Sequence, residues 1–356
     1  MTNKLLLIIF ILCALFLSAL VARNGQLLLL GMPFLIYLIL GVIRAPQGMT
    51  LAGQRFIDKT DVLAGEPFES QAILWNHGEA VVNLRLDDGL SASMTLLEGK
   101  ARSWISLPAG ASTELKYSSS ARRGVYHWES VQATASDPFG LFEIQQSVPA
   151  YGEILVRPAP LPLRRIPLKP RFTLQAAGPL PARLAGSGTD FWGIREYRPG
   201  DSLRRLNWRS TARHPRSLFT NEFEREQIGD FGLILDARCR TDDLKMEADL
   251  FEHSVSAVAA LSEYFLKKGN RVALLIFGDG YTSLFPGYGK RQRNLVLRNL
   301  ARARLGEDLP MHYLQYFPVR LFPAHSQIVM VSPVDARDLE TYARLRASGY
   351  DVLLIS

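Results

Sequence analysis

Two apolar runs open the chain. Residues 5–22 are apolar except for Ser18, and residues 27–43 are apolar again, with Gly31 and Pro33 inside. Each is at the short end for a bilayer span, since about 20 helical residues at about 1.5 Å each cover a hydrocarbon core of about 30 Å. Between them lie Arg23, Asn24, Gly25 and Gln26, a polar turn with a glycine for an awkward backbone angle, so residues 1–46 read as a transmembrane helical hairpin. A cleaved signal peptide is the competing reading. Leu20 spoils the small-x-small site ending at Ala22, and a second apolar run follows at once. Lys4 before the hairpin and Arg44, Arg55 and Lys59 after it outnumber Arg23 in the turn. That positive-inside bias places a multi-pass protein in the cell inner membrane with its soluble domains in the cytoplasm.

From residue 47 to 158 the pattern changes to short alternating stretches, for example 68–75 and 80–86, separated by Asn76, His77 and Gly78. Such spacing predicts an antiparallel β-sandwich-like module. Asp137, Pro138 and Gly140 stand where a type I turn wants them. His77 and His127 have no second ligand at metal spacing, so the module reads as a binding or spacer unit. Seven prolines between 158 and 181 (Pro158, Pro160, Pro162, Pro167, Pro170, Pro179 and Pro181) exclude a regular helix or central strand, and 159–228 reads as a Pro/Arg-rich linker with a distinctive arginine segment. From 229 to 356 buried-strand runs at 231–235, 271–277, 327–332 and 351–355 alternate with helical periodicity at 244–268, 290–304 and 334–347. This is an α/β domain with a mainly parallel sheet, whose ligands are expected at the carboxyl ends of the strands. The chain stops inside the last predicted strand, and a final helix is expected to be missing or to lie in a longer product.

A length of 356 residues fits this multi-domain reading, and 47% hydrophobic against 21% charged residues excludes wholesale disorder. The net charge of +7 favours anionic partners only weakly. Two cysteines, Cys13 and Cys239, cannot build a disulfide framework or a four-thiolate zinc site, and they suit a reducing compartment.

Candidate chemistry concentrates in the arginine segment. Pro199 and Gly200 precede Asp201, which is placed to cap a helix running to about Ala212. On such a helix Arg204 and Trp208 share a face, and Arg205 and Arg209 repeat the spacing beside them. The segment either binds an acidic or phosphorylated partner or pairs internally through Glu196, Asp201 and Trp208. The second reading requires a buried Trp208, whose truncation would cost about 3 kcal/mol. Lys290, Arg291, Arg298 and Arg302 form a basic helix face, which anionic lipid near the anchor would suit. No zinc-finger spacing, GxSxG, HExxH, Rossmann or P-loop pattern is present, so neither nucleic-acid binding nor an enzyme is expected. Cys239, flanked by arginines, is the one thiol with a case for reactivity, but no histidine base stands near it in sequence.

The stretch 186–213, with Arg195, Glu196, Tyr197, Pro199, Gly200, Asp201, Arg204, Leu206, Trp208 and Arg213, resembles the signature of the domain of unknown function 58 family. The resemblance extends to Arg123, Gly124 and Tyr126, and to the run from Asp137 to Phe142. It implies a von Willebrand factor A-like carboxyl-terminal domain. It also implies a MoxR-type AAA ATPase as partner, and hence a membrane-anchored cytoplasmic scaffold or adaptor with binding residues at Arg195, Glu196, Arg198, Asp201, Arg204, Trp208, Arg213, Asp236 and Asp335. A basic module holding anionic lipid or nucleic acid is the alternative. The family often carries Asp-x-Ser-x-Ser where carboxylate and hydroxyl oxygens cradle a divalent cation. Here Arg238 and Arg240 replace the serines after Asp236. Guanidinium donors repel a cation that needs acceptors, so neither a metal nor another cofactor is expected, and Asp236 should pair with an arginine.

Overall fold

The computed structural model describes residues 2–163, 180–214, 216–227, 229–239, 244–278, 280–306, 321–324, 326–333 and 338–356. It divides into two compact units, Met1–Val156 and Arg157–Ser356. Pro167, Pro170, Pro179, Arg240 and Asp335 lie outside the described residues, as do residues 334–337 of the last predicted helix.

The first unit begins with helices α1 (Asn3–Ala22) and α2 (Gln26–Ile43). Thr2 caps α1 by accepting the Leu5 N–H at 3.4 Å, and Arg23 ends it in the left-handed conformation at φ 47°. Asn24 then accepts the Gln26 N–H at 2.9 Å, which starts the second helix at once. Both helices are long and apolar enough to cross a membrane, and most of their large side chains are exposed, Phe10, Leu17 and Leu29 among them.

Nine strands follow: β1 (Leu51–Ile57), β2 (Asp61–Leu63), β3 (Phe68–Asn76), β4 (Val81–Asp87), β5 (Met94–Gly99), β6 (Arg102–Leu107), β7 (Ser112–Ala121), β8 (Gly124–Ser136) and β9 (Glu143–Arg157). They form two sheets, ordered β1-β3-β7-β5 and β2-β9-β8-β4-β6. Alternation decides the faces. Along β3, Phe68, Ser70, Ala72, Leu74 and Asn76 are buried, and Ala72 and Leu74 share a core with Leu84 of β4, Val131 of β8 and Val148 of β9. The two sheets therefore face each other across common apolar side chains.

A polar network is buried inside this unit. The Arg55 guanidinium on β1 donates to both oxygens of Asp88, to Ser70 Oγ at 2.7 Å and to the Ala150 carbonyl at 3.1 Å. Tyr117 on β7 donates its hydroxyl to Asp88 at 2.6 Å, and the Trp128 ring on β8 lies 5.2 Å from the guanidinium. The Arg55 and Asp88 side chains are both 0% exposed.

The turn after β8 follows its sequence chemistry. Gly140 donates its N–H to the Asp137 carbonyl at 3.0 Å and has φ 68°, while the Asp137 carboxylate accepts the N–H groups of Phe139, Leu141 and Phe142. The turn meets the helices. Tyr37 of α2 packs on Phe139 with ring centroids 4.6 Å apart, Thr2 donates to the Leu141 carbonyl at 2.9 Å, and a Cβ on Gly41 would stand 2.7 Å from Leu141.

The second unit contains a ribbon of β10 (Leu180–Glu196) against β11 (Phe219–Gln227), then a five-stranded sheet ordered β14-β13-β12-β15-β16. Its strands are β12 (Asp230–Asp236), β13 (Arg271–Gly278), β14 (Gly280–Gly287), β15 (Gln327–Val331) and β16 (Asp351–Ile355). Pairing is parallel throughout except for the edge strand β14, which runs antiparallel to β13. Successive β12 residues point to opposite layers. Phe231, Leu233 and Leu235 pack with α4 (Leu244–Lys267) and α5 (Gly289–Arg302), whereas Ile234 joins a core with Tyr342 of α6 (Leu339–Ala347). The ribbon corrects the linker reading at residues 180–196 and 219–227, whereas residues 158–163 are without helix or strand. Pro181 falls beside the first residue of β10, which has a single strand partner and so tolerates proline at its edge.

Asp88→Ala should strand the buried Arg55 charge and destabilise the first unit by about 3–5 kcal/mol, whereas Tyr117→Phe, which removes one hydrogen bond to a charged group, should cost about 1.5–3 kcal/mol. Denaturant titration of the two variants checks the ranking.

Candidate functional site

Strand β12 ends on Asp236, at the carboxyl edge of the sheet, where the backbone ladder stops and side chains must satisfy what remains. Asp236 Oδ1 accepts the Arg238 N–H at 3.1 Å and Nε at 2.9 Å, and Oδ2 accepts Arg238 Nη2 at 2.8 Å. The far side of the same guanidinium reaches Asp338, with Nη2 2.9 Å from Oδ2. Ser332, just beyond β15, donates its hydroxyl to Asp236 Oδ2 at 2.6 Å. Phe277 of β13 lies under the group, its ring 5.5 Å from the guanidinium carbon. The side chains of Asp236, Arg238 and Asp338 are 1%, 3% and 6% exposed, so this is an interior cluster rather than a surface salt bridge.

The predicted pairing of Asp236 with an arginine is therefore present, through Arg238. Asp338 is the residue that sequence reasoning missed. It stands three positions after Asp335, between a strand and a helix, where either aspartate was available to the cluster. Chemically the arrangement is a carboxylate pair bridged by a tethered cation. The guanidinium supplies donors to both carboxylates and leaves them acceptor-saturated on the faces it covers. Among the described residues, no group of three or more His, Cys, Asp or Glu could hold a metal ion. Cys239 is half-buried and donates its backbone N–H to the Gly306 carbonyl at 3.0 Å.

A second charged cluster sits on the ribbon. Arg195 on β10 donates both Nη atoms to Asp201, each at 2.7 Å, and its Nε to Glu222 of β11 at 2.7 Å. Glu222 was missed because the linker reading gave it no strand partner. Asp201 also accepts the Arg198 backbone N–H at 2.8 Å, and Glu196 contributes its carbonyl, to Arg195 Nη1 at 2.9 Å. These contacts hold the Asp201 carboxyl down at about 2, the Arg195 hydrogen bonds first and the Arg198 N–H second.

Asp201 caps no helix. A 3-10 turn spans Leu203–Arg205, and the helix α3 (Trp208–Arg213) starts afresh with Asn207, whose side chain accepts the Ser210 N–H at 2.9 Å. The break is forced by pairing, since Asn207 donates its N–H to the Phe219 carbonyl and Leu206 bridges Thr220 of β11. Arg204 and Trp208 consequently do not share a helix face. Trp208 is 69% exposed, which overturns its expected burial, and the Arg198, Arg204 and Arg213 side chains are exposed as well.

Both clusters lie in the part of the chain with known counterparts. Residues 193–355 match the family model described as Protein of unknown function DUF58. The match supports that family. Among curated relatives, the Bacillus subtilis uncharacterized protein YeaD is 27% identical over 197 residues, covering 51% of this chain and 43% of its own length. The Mycobacterium tuberculosis uncharacterized protein Rv1480 is 26% identical over 196 residues, 44% of this chain and 58% of that protein. The chain thus spans about half the length of the curated relatives it matches. Among solved structures, a CARDB domain from Pyrococcus furiosus in complex with di-metal ions aligns with 32% of this chain and 96% of its own, at 13% identity and a TM-score of 0.22. A FixG-related protein from Vibrio parahaemolyticus gives 14% identity, 30% and 95% coverage, and 0.21. Scores this low carry neither fold nor ligands to this chain. The DUF58 match begins at Gly193, so it takes in Arg195, Asp201 and Glu222 of the ribbon together with Asp236, Arg238, Ser332 and Asp338.

Arg238→Ser should leave Asp236 and Asp338 facing each other without a cation, destabilising the α/β sheet domain by about 3–5 kcal/mol. Millimolar Mg²⁺ should then raise the melting temperature of Arg238→Ser and leave that of the parent unchanged. A parent that melts higher with Mg²⁺ would show that the guanidinium does not exclude the ion.

The depressed Asp201 carboxyl sets a pH dependence. Its contribution is present above the ordinary carboxylate value of 3.8 and is lost as pH falls through about 2. Acid titration between about pH 4 and pH 2 should loosen the ribbon in the parent and leave Asp201→Asn, already loosened, flat across the window. Trp208→Ala, by contrast, should shift stability by less than about 0.5 kcal/mol, as an exposed substitution does.

Proposed function

We propose that the chain is a membrane-anchored cytoplasmic scaffold or adaptor whose α/β domain presents the carboxyl edge of its sheet to a MoxR-type AAA ATPase. The observation that supports this reading is the Asp236–Arg238–Asp338 cluster. Its guanidinium ties the end of β12 to the entrance of α6 in one arrangement beneath the sheet's carboxyl edge and leaves neither Asp236 nor Asp338 free to act as a general base. The two apolar N-terminal helices suit an anchor, and the positive-inside bias suits soluble domains on the cytoplasmic side. The ATPase enters through the family resemblance, and so does the von Willebrand factor A-like description of a domain with strands β12, β13, β15 and β16 parallel. The exposed arginines on and beside α3 add a second surface that an acidic partner would fit.

The alternative, a basic module for anionic lipid, draws on one observation: Lys290, Arg291, Arg298 and Arg302 are all exposed along α5. The two readings separate in one experiment. The full chain in detergent micelles is used to capture membrane-extract proteins with ATP or ADP present, across a series of salt concentrations. The adaptor recovers a AAA ATPase in a nucleotide-dependent way, and Ala substitutions at Arg204 and Arg213 weaken recovery. Recovery of anionic lipid alone, falling steeply with salt and lost on neutralising Lys290 and Arg291, would replace the adaptor by the lipid module.

A further inference from the structure

Beside the charge cluster lies a cavity of about 350 Å³, walled by Ala237 and Gly278 at the strand ends, by Tyr281 and Thr282 of β14, and by Arg302 and Arg304 where α5 ends. The volume falls within the range of small-ligand sites. Its location is fixed by tight backbone packing. Ala237 donates its N–H to the Phe277 carbonyl at 2.6 Å, the Gly306 N–H donates to the Ala237 carbonyl at 2.8 Å, and a Cβ on Gly278 would stand 2.7 Å from that same carbonyl.

The two guanidinium groups decide its chemistry. Arg302 and Arg304 are exposed, and among the described residues neither has an ion pair or hydrogen-bonded acceptor, in contrast to Arg195 and Arg238. None of the described residues lining the cavity is acidic, and Asp279, between Gly278 and Gly280 in the sequence, lies outside the described residues. The carboxyl end of α5 contributes about half a negative charge there, and even with one further carboxylate added the two full positive charges exceed the total. The Thr282 hydroxyl stands on the same wall as a further possible donor. We infer that this cavity is an oxyanion-binding site, taking a carboxylate or phosphate group between Arg302 and Arg304. The inference rests on the cavity alone and stands or falls separately from the ATPase reading.

The test uses the full chain in micelles, a fluorescein-labelled octaglutamate peptide followed by anisotropy, and inorganic phosphate followed by its effect on the melting temperature and as a competitor. Arg302→Gln/Arg304→Gln should weaken binding of whichever probe binds by about tenfold or more, as loss of a charge-assisted pair does. Lys290→Gln/Arg291→Gln removes the same charge about 18 Å away along α5 and should change affinity by less than about twofold. Peptide binding displaced by phosphate supports a site for either group. Peptide binding that phosphate does not displace identifies a carboxylate on a polypeptide as the source, and phosphate stabilisation without peptide binding identifies a free phosphate. Absence of binding by both probes would overturn the inference. So would affinities unchanged in Arg302→Gln/Arg304→Gln, or weakened equally by both double variants, because general surface charge would then account for the attraction.

Discussion

A guanidinium taken out of water needs oxygen acceptors, and Arg238 finds them in Asp236, which closes β12, and in Asp338, which leads into α6. Ser332, which follows β15, joins the cluster by donating its hydroxyl to Asp236 Oδ2. Because desolvating the ions costs several kcal/mol each, the cluster adds little net stability compared with an apolar core. What it fixes is position. Moving any one of those segments by an ångström would leave a buried charge or carboxylate unsatisfied, so the strand ends and the helix entrance are held in one register.

The first unit uses the same device across its two sheets. Arg55, Ser70 and Tyr117 come from β1, β3 and β7 of one sheet, while the Ala150 carbonyl and the Trp128 ring come from β9 and β8 of the other, with Asp88 just past the end of β4. Apolar contacts between facing sheets tolerate sliding, because dispersion and desolvation are not directional. A bidentate guanidinium–carboxylate pair does not tolerate it. This network therefore sets how the sheets align, and with them the Asp137–Phe142 turn against which Tyr37 and Gly41 of α2 pack.

The order of elements was legible wherever periodicity was strong. Alternation between 68 and 75 gave β3 to within a residue, and the helical spacing of Phe251, Val255, Val258 and Phe265 gave α4, whose partners these side chains are. The pair formed by Asp236 and Arg238 could be read because two residues apart at a strand end is a local relation. Asp338 and Glu222 could not, since each depends on a long-range pairing that a single sequence does not display. Residues 158–163 carry their prolines without helix or strand, but Pro181 lies inside β10, where a two-stranded ribbon needs only one hydrogen-bonded edge per strand. Periodicity also misled at Asp201, because a spacing of four places Arg204 over Trp208 only if the helix is unbroken. Leu206 and Asn207 instead pair with β11, and tertiary pairing wins over local helix propensity.

A tethered cation and an exchangeable one differ in what they can do. An ion site fills and empties with concentration, and a partner's carboxylate can complete its coordination. A guanidinium on a two-residue tether is always present and is already consumed by Asp236 and Asp338, so it offers no open coordination position. The Asp236–Arg238–Asp338 cluster accordingly has a fixed charge state. On the adaptor reading, recognition at this edge draws on other groups, and Arg302 and Arg304, which line the cavity with Ala237, are candidates. On the adaptor reading, the switch between bound and free states then belongs to the partner's nucleotide cycle and not to ion levels, because nothing in the cluster can respond to them.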